Sequence, residues 1–297
     1  MNVLSLFDGI SCGRIALERA GIKVDRYIAY EIEKYATQIS KNHWNDIEHY
    51  EDVFSTDFTE YVGKVDMVIG GSPCTYWTVA RNKGAKHQRE TECSGLGWDL
   101  FSQYLLAIKT IKPKYFLYEN NYTISKAIKQ KISEELGVEP IYINSNLVSA
   151  QNRKRLYWTN IPNVCLPEDR GIKLSSILDT DYDYLKKFKV HNTPSRVRMW
   201  NEGKGRINGA LCCDNITNKD KSGTVTSKQD RNYNAGLIQF EDFCRYLTIH
   251  EQERLQTLPT GYTDGVPNGA ATLCIGNGWT VDVIAHIFSF LPDKYKI

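Results

Sequence analysis

The 297 residues carry 37 Lys/Arg against 35 Asp/Glu, with 41% hydrophobic and 24% charged residues, the profile of a soluble globular chain of one large domain or of one domain with a smaller companion. No apolar run reaches the roughly 20 residues that a membrane helix requires, and Met1-Asn2-Val3-Leu4 reads as the start of a strand, not as a secretory leader. Eight cysteines, at 12, 74, 93, 165, 212, 213, 244 and 274, form no CxxC pair, which argues against structural zinc and for free thiols in a reducing cytosol.

Residues 3–7 are a short apolar strand, followed by the turn Asp8-Gly9-Ile10-Ser11-Cys12-Gly13 and a helix over 14–20, with Gly21 at its C′ position. Strand, glycine turn and helix open a nucleotide-binding α/β unit, because the helix points its positive end at the turn. The turn is not the GxGxxG fingerprint, so a ligand carrying an adenosine and a carboxylate suits it as well as a pyrophosphate. The second strand, 25–30, ends in Glu31, the place where a ribose hydroxyl pair is gripped in such folds. A solvated strand-end glutamate is the plainer alternative. A helix over 35–42 then leads to a short strand at 50–53, whose Asp52 can accept a hydrogen bond from an adenine amino group.

The segment from Val65 to Cys74, VDMVIGGSPC, carries the chemistry. Its apolar run reads as a buried parallel strand, and Gly70-Gly71 requires a tight turn or a close approach. Pro73 then fixes the backbone before Cys74, which is presented at the carboxyl end of the strand, where open α/β sheets bind their ligands. A cysteine on such a turn suits a nucleophile; a small buried thiol is the alternative. Residues 75–97 form a polar, glycine-punctuated loop with Arg81, Lys83, Lys86 and Arg89, suited to a lid that meets an anionic substrate.

A helix over 98–111 stops at Lys112-Pro113. The strand 115–118 places Glu119-Asn120-Asn121 at its carboxyl end, on the same sheet edge as Cys74. Helix 123–136, strand 139–147 and strand 156–161 follow, the last entered through Gln151, Arg153 and Arg155, whose guanidinium groups call for carboxylate or phosphate partners. Strands alternating with helices to about residue 161 predict a doubly wound, mostly parallel α/β sheet.

The composition then changes. Residues 186–231 hold eleven Lys/Arg and four Asp/Glu, a surplus of seven in a chain whose net charge is +2. With Phe188, Trp200 and many Asn, Ser and Gly, this stretch suits a loop-rich surface for a phosphate backbone, and Arg196, Arg198, Lys204, Arg206, Lys228 and Arg231 are its candidate contacts. A helix over 248–258 returns with Thr248 as N-cap and Glu251 at the capping-box position. The Gly276-Asn277-Gly278 turn then opens a final apolar helix, 281–291, and offers a second seat for an anion.

In this order, Phe7-Asp-Gly9-Ile-Ser-Cys-Gly13, Glu31, Asp52-Val53, Gly71-Ser-Pro-Cys74, Tyr118-Glu119-Asn120, Gln151-x-Arg153-x-Arg155, Arg254-Leu-Gln256 and Gly276-Asn277 resemble the motifs of the C5-cytosine DNA methyltransferases over nearly the whole chain. The first half is closest in texture to the branch that includes the animal de novo enzymes. The resemblance implies a Rossmann-like, S-adenosylmethionine-dependent catalytic domain at 1–162, a small loop-rich target recognition region at 163–245, and a segment, 246–297, that returns to the catalytic domain. It implies that Cys74 attacks C6 of a flipped-out cytosine, that Glu119 holds N3 and the exocyclic amino group, and that Arg155 contacts O2 while Arg153 orients the site. S-adenosylmethionine would lie against Phe7, Asp8, Gly9, Ile10, Glu31, Ile32, Asp52, Val53, Pro73, Asn277, Gly278 and Trp279. The expected partner is duplex DNA, with no membrane and no metal; a cognate restriction enzyme is left open, and a prokaryotic or phage-encoded cytoplasmic protein is expected. Transfer RNA as substrate, a silent DNA-binding paralogue and a dehydrogenase are the rival readings; the last lacks its GxGxxG. Two departures from the family pattern stand out: Thr75-Tyr76-Trp77-Thr78 after the cysteine, and Asn121 where an apolar residue is usual.

Overall fold

The computed structural model describes residues 1–78, 89–191, 193–194, 197, 206–207, 210–211, 214–229, 234–240 and 243–297. They divide into two compact units, one of residues 1–143, 154–166 and 284–297, the other of residues 144–153 and 167–283.

The strands of the first unit are β1 Asn2–Leu6, β2 Arg26–Tyr30, β3 Ile47–Tyr50, β4 Met67–Gly70, β5 Tyr115–Asn121, β6 Ile141–Asn144 and β7 Lys154–Thr159. They form one sheet in the order β3-β2-β1-β4-β5-β7-β6. Pairing is parallel from β3 across to β5, and β7 runs antiparallel to β5. Strands covered on both faces read as unbroken apolar runs, and Val3, Leu4, Leu6, Met67, Val68 and Ile69 are fully buried. The chain steps outward from β1 to β3 and returns to β4 on the other flank of β1. That reversal places a switch point at the carboxyl ends of β1 and β4, where open sheets leave a crevice for ligands. Helices α1 Cys12–Arg19, α2 Lys34–His43, α3 Leu96–Ile111 and α4 Lys126–Leu136 connect the strands.

The fold class matches the expectation; several boundaries move. Phe7 leaves β1 in the left-handed region (φ +59°), so it belongs to the turn and not to the strand. The third strand is Ile47–Tyr50, and Asp52-Val53 lies beyond it, where Asp52 caps a 3₁₀ turn by accepting from Phe54 N at 2.9 Å. β5 runs through Glu119 to Asn121 because the antiparallel ladder with β7 continues to the pair Asn121–Arg155. Glu119 is therefore a strand residue, held more firmly than a loop residue would be. Gly21 (φ +69°) ends α1 as read from the sequence, its N–H bonding to Glu18 O.

The second unit holds α5 Tyr182–Leu185, the short strand pairs β8 Arg206–Ile207 with β9 Ala210–Leu211 and β10 Ile238–Phe240 with β11 Phe243–Arg245, and then α6 Ile249–Leu255 and α7 Asn268–Asn277. The capping box on α6 is present, with Thr248 and Glu251 bonding reciprocally. The expected Gly-Asn-Gly turn is different: Gly276 and Asn277 form the last turn of α7, and Gly278 caps it before α8, Val281–Phe288. Helix α7 escaped the sequence reading because its residues, NGAATLCIGN, carry no polar face to set a period. Gly276 has a packing reason: a Cβ there would lie 2.1 Å from both Ser227 N and Thr226 C, which are backbone.

Residues 246–283 belong to the second unit. The physical link is buried Gln151, whose Nε2 donates to Leu255 O at 2.9 Å and whose Oε1 accepts from Val225 N at 2.7 Å. No helix among the described residues is long and apolar enough to cross a membrane.

Candidate active site

Cys74 begins a 3₁₀ turn, Cys74–Tyr76, immediately after the β4 strand end and Pro73. It is half-buried and free. The turn is anchored downstream by Trp77, which is fully buried, a burial worth roughly 2 kcal/mol for a large apolar side chain. The Trp77 indole N–H donates to Glu90 Oε2 at 3.2 Å, and Glu90 also accepts from Gly97 N. Gly97 has no room for a side chain, since a Cβ would meet Glu90 Oε2 at 2.5 Å and Trp77 Nε1 at 2.6 Å. The two ends of the expected lid are thus fastened together. Residues 79–88, including Arg81, Lys83 and Lys86, lie outside the described residues.

Glu119 and Arg155 face each other across β5 and β7. Register pairs Glu119 with Tyr157 and Asn121 with Arg155, a diagonal that brings Arg155 Nε to Glu119 Oε1 at 2.8 Å, both side chains nearly buried. Arg155 Nη1 also donates to Lys154 O. A carboxylate and a guanidinium held side by side can grip a planar amide-like ring edge by its donor and acceptor atoms. Both lie on the sheet whose β4 leads into the Cys74 turn, on the strand neighbouring β4 and on the next one.

The turn after β1 forms the second half of this site. Phe7, Gly9 and Ser11 all have φ near +60° (59°, 61° and 59°), an alternation that folds the backbone into a cup at the start of α1. Asp8 braces it, its carboxylate accepting from Tyr27 OH at 2.7 Å and Ser11 OH at 2.5 Å. Burial raises the Asp8 pKa despite these bonds. Glu31, half-buried at the end of β2, accepts from Gly9 N at 2.8 Å and Glu33 N at 2.7 Å. Burial raises its pKa too, against the two backbone donors. Ile10 and Val53 are buried, while Ile32, at 79%, and Phe54, at 49%, are large apolar side chains left exposed at the ends of β2 and β3. A half-buried acceptor beside exposed apolar surface suits a ribose and an adenine.

The remaining expected residues have other surroundings. Arg153 is buried within the second unit and donates to Val225 O, Gly276 O and Gly278 O at 2.8, 3.1 and 2.9 Å. Its guanidinium thus holds the 276–278 backbone that leads to Trp279, and Asn277 is exposed beside it. Arg89 donates to Trp77 O at 3.0 Å and to Thr123 O, so its charge is tied to the fold. Among the basic residues of the second unit, Lys221 donates to Asn146, Ser149 and Ile172 carbonyls, and burial lowers its pKa, while Lys219 pairs with Asp214 at 3.0 Å. The sequence surplus therefore overstates the charge available to a phosphate backbone. Lys228 is exposed. Lys187 and Phe188 line a cavity of about 470 Å³ with Tyr184, Tyr246 and His250. Arg196, Arg198, Lys204 and Arg231 lie outside the described residues, as does the side chain of Arg206. In the sequence, Ser72 and Tyr118 stand only as members of motifs, neither with a role of its own; their hydroxyl oxygens lie 2.6 Å apart.

A family profile described as C-5 cytosine-specific DNA methylase matches residues 1–165. Among relatives by sequence, the orphan methyltransferase M.Rho11sI of Bacillus phage rho11s is 28% identical over 213 residues, which is 67% of this chain and 41% of that protein. The type II methyltransferase M.PspPI of a Psychrobacter species is 33% identical over 147 residues, 46% of this chain and 32% of that protein. The matches thus span less than half the length of these relatives. Among solved structures, the Entamoeba histolytica methyltransferase EhMeth aligns over 100% of this chain and 99% of its own with a TM-score of 0.76 at 17% identity. The S. pombe Dnmt2 methyltransferase aligns over 98% of each chain with a TM-score of 0.72 at 18% identity. At such identities the structural likeness speaks for the fold.

Proposed function

The chain belongs to the C-5 cytosine-specific DNA methylase family, and on that premise we propose that it transfers a methyl group from S-adenosylmethionine to C5 of a cytosine in duplex DNA. The observation that carries this reading is Cys74 on the turn after β4 with the Glu119–Arg155 pair on the adjoining strands. Cytosine C5 is a poor nucleophile until a thiolate adds to C6, and charge then building on the ring needs a proton donor and a fixed cation. The Cys74 sulfur forms the bond to C6, Glu119 supports protonation at N3 and holds the exocyclic amino group, and Arg155 holds O2. S-adenosylmethionine, when bound, supplies the methyl group. Loss of the C5 proton and departure of the Cys74 thiolate restore the ring and free the enzyme. Glu119 is only 8% exposed, so a stacked base cannot reach it, and the target is flipped out of the duplex.

Phe7, Gly9, Glu31, Ile32 and Val53 would hold the cofactor, with Glu31 accepting from the ribose hydroxyls. Its raised pKa gives a pH dependence of definite sign. The native chain binds a proton at Glu31 more readily than the unfolded one does, so this group's contribution to stability declines as pH rises from the ordinary 4.5 through the folded value. Cofactor affinity runs the other way, because only the carboxylate accepts both hydroxyls. Calorimetric titration at descending pH is expected to show affinity falling while the pH is still above 4.5, and Glu31→Gln is expected to weaken binding about tenfold and flatten that profile. A profile unchanged by the substitution would remove Glu31 from the cofactor site.

The names of the sequence relatives, type II and orphan methyltransferases from bacteria and phage, support DNA as substrate and a prokaryotic or phage origin. Both kinds of name occur, so a restriction partner is no part of the proposal. Nucleoside mass analysis of unmodified duplex DNA and, in parallel, of transfer RNA after incubation with S-adenosylmethionine tests the reading. 5-Methyl-deoxycytidine in DNA is the expected result. A mark in RNA alone rejects the substrate, and cofactor binding without any mark makes the chain a silent paralogue.

A further inference from the structure

We propose that Tyr118 is a positioning residue for Cys74, its hydroxyl fixing the Ser72-Pro73-Cys74 turn through Ser72; the inference rests on the methyl-transfer reading above.

Tyr118 and Ser72 are both buried, and their hydroxyl oxygens are 2.6 Å apart. Asn120 Nδ2 donates to Tyr118 OH and to Ser72 O, each at 3.2 Å. Side chain and backbone of Ser72 are therefore both held, two residues before the thiol. Either hydroxyl can donate the bond between them, and Asn120 gives the phenol oxygen a further donor. Burial pushes the phenol pKa up, so the hydroxyl stays protonated. The ring needs no hydroxyl for packing: it lies against Phe101, Tyr104 and Trp158 at centroid distances of 5.1, 4.9 and 5.8 Å.

The polar Asn121 has its explanation in the same network. Its N–H and its Nδ2 both donate to Asn120 Oδ1, at 2.9 and 3.1 Å, which turns the Asn120 amide so that its NH₂ faces Tyr118 and Ser72. Asn121 Oδ1 in turn accepts from Thr123 N and Thr123 OH at 2.9 and 2.6 Å. Thr123 O accepts from Arg89, whose Nε donates to Trp77 O, three residues past the thiol. The cysteine turn is thus bracketed from both sides by groups on the end of β5, the strand that also carries Glu119. A nucleophile held to a fraction of an ångström against the groups that grip its target is what catalysis by orientation requires.

Tyr118→Phe removes the hydroxyl and keeps the ring. In the full chain it is expected to lower kcat for methyl transfer about tenfold, with KM for S-adenosylmethionine and the melting temperature nearly unchanged. Alkylation of Cys74 by iodoacetamide, followed by mass analysis of its own peptide, is expected to quicken severalfold as the turn loosens. Ser72→Ala should reproduce both effects, and the double variant should lose no more than either single one, since one shared hydrogen bond is removed. Unchanged kcat and alkylation rate in either stable single variant, or additive losses in the double, would overturn the proposal. A wild-type chain that methylates nothing would reject the functional reading, while the alkylation rates still decide whether Tyr118 holds the turn.

Discussion

Cys74→Ser is expected to lower methyl transfer by at least about a thousandfold, while S-adenosylmethionine binding stays within about threefold of the unsubstituted chain. A thousandfold loss is about 4 kcal/mol of transition-state stabilisation. Serine fits the same turn, because it differs from cysteine by one atom and Cys74 is only half-buried. What serine lacks is an accessible anion: a thiol ionises near 8.5, whereas an alcohol remains protonated and adds to C6 far more slowly. Cofactor binding is expected to be spared because most of the groups proposed for it, Phe7 to Ile10, Glu31 and the Asp52-Val53 turn, follow β1, β2 and β3, and Pro73, which lies in the Cys74 turn, keeps its own ring in the variant. Isothermal titration with the cofactor and radiolabel transfer to DNA measure the two quantities separately. Loss of cofactor binding together with turnover would make Cys74 a structural residue and the mechanism wrong.

The largest expected stability effect lies at Glu251, in the second unit. Glu251 and Arg245 are both fully inaccessible, joined by Nη1–Oε2 and Nη2–Oε1 contacts of 2.8 Å each. Glu251 also accepts from Thr248 N at 2.9 Å and Asp179 N at 2.8 Å, so one carboxylate closes the α6 cap, the β11 end and the Asp179 turn. Arg245 Nη1 also donates to Tyr246 O at 2.9 Å and Nε has no hydrogen-bond partner among the described residues, so the charge of the guanidinium is balanced by Glu251. Glu251→Ala leaves that charge buried and uncompensated, at a cost of about 3–5 kcal/mol. For a chain of this size the melting temperature should fall by on the order of 10 °C. Replacing both partners with apolar residues, Arg245→Met with Glu251→Leu, should recover much of the loss, because the desolvation of two charges is removed with their attraction. Thermal scans of the two variants beside the unsubstituted chain check this; equal losses in the single and double variants would mean that packing, and not the uncompensated charge, sets the cost.

Where the determining forces are local, the sequence reads well. Apolar runs ending in glycine marked β1 and β4, the capping box marked α6, and the left-handed Gly21 marked the end of α1, because each depends on residues within a few positions. Boundaries failed where a partner distant in sequence extends or ends an element: β5 continues to Asn121 only because β7 pairs with it antiparallel. The apolar α7 failed for the opposite reason, a helix with no polar face to reveal its period.

The candidate site divides in the same way. Residue types and their order pointed to Cys74, Glu119, Arg155 and Glu31 from the sequence alone, since thiol, carboxylate and guanidinium announce their chemistry wherever they stand. Only the tertiary structure decided what each is free to do. It engages Arg153 and Lys221 with three carbonyls each, ties Arg89 to Trp77 and Thr123, and turns Tyr118 and Asn121 from strand filling into the tether of the cysteine turn. The physical reason is common to all of these: a polar side chain is recruited or released by the buried groups within about 3 Å of it, and those neighbours are chosen by the fold, not by the chain's order.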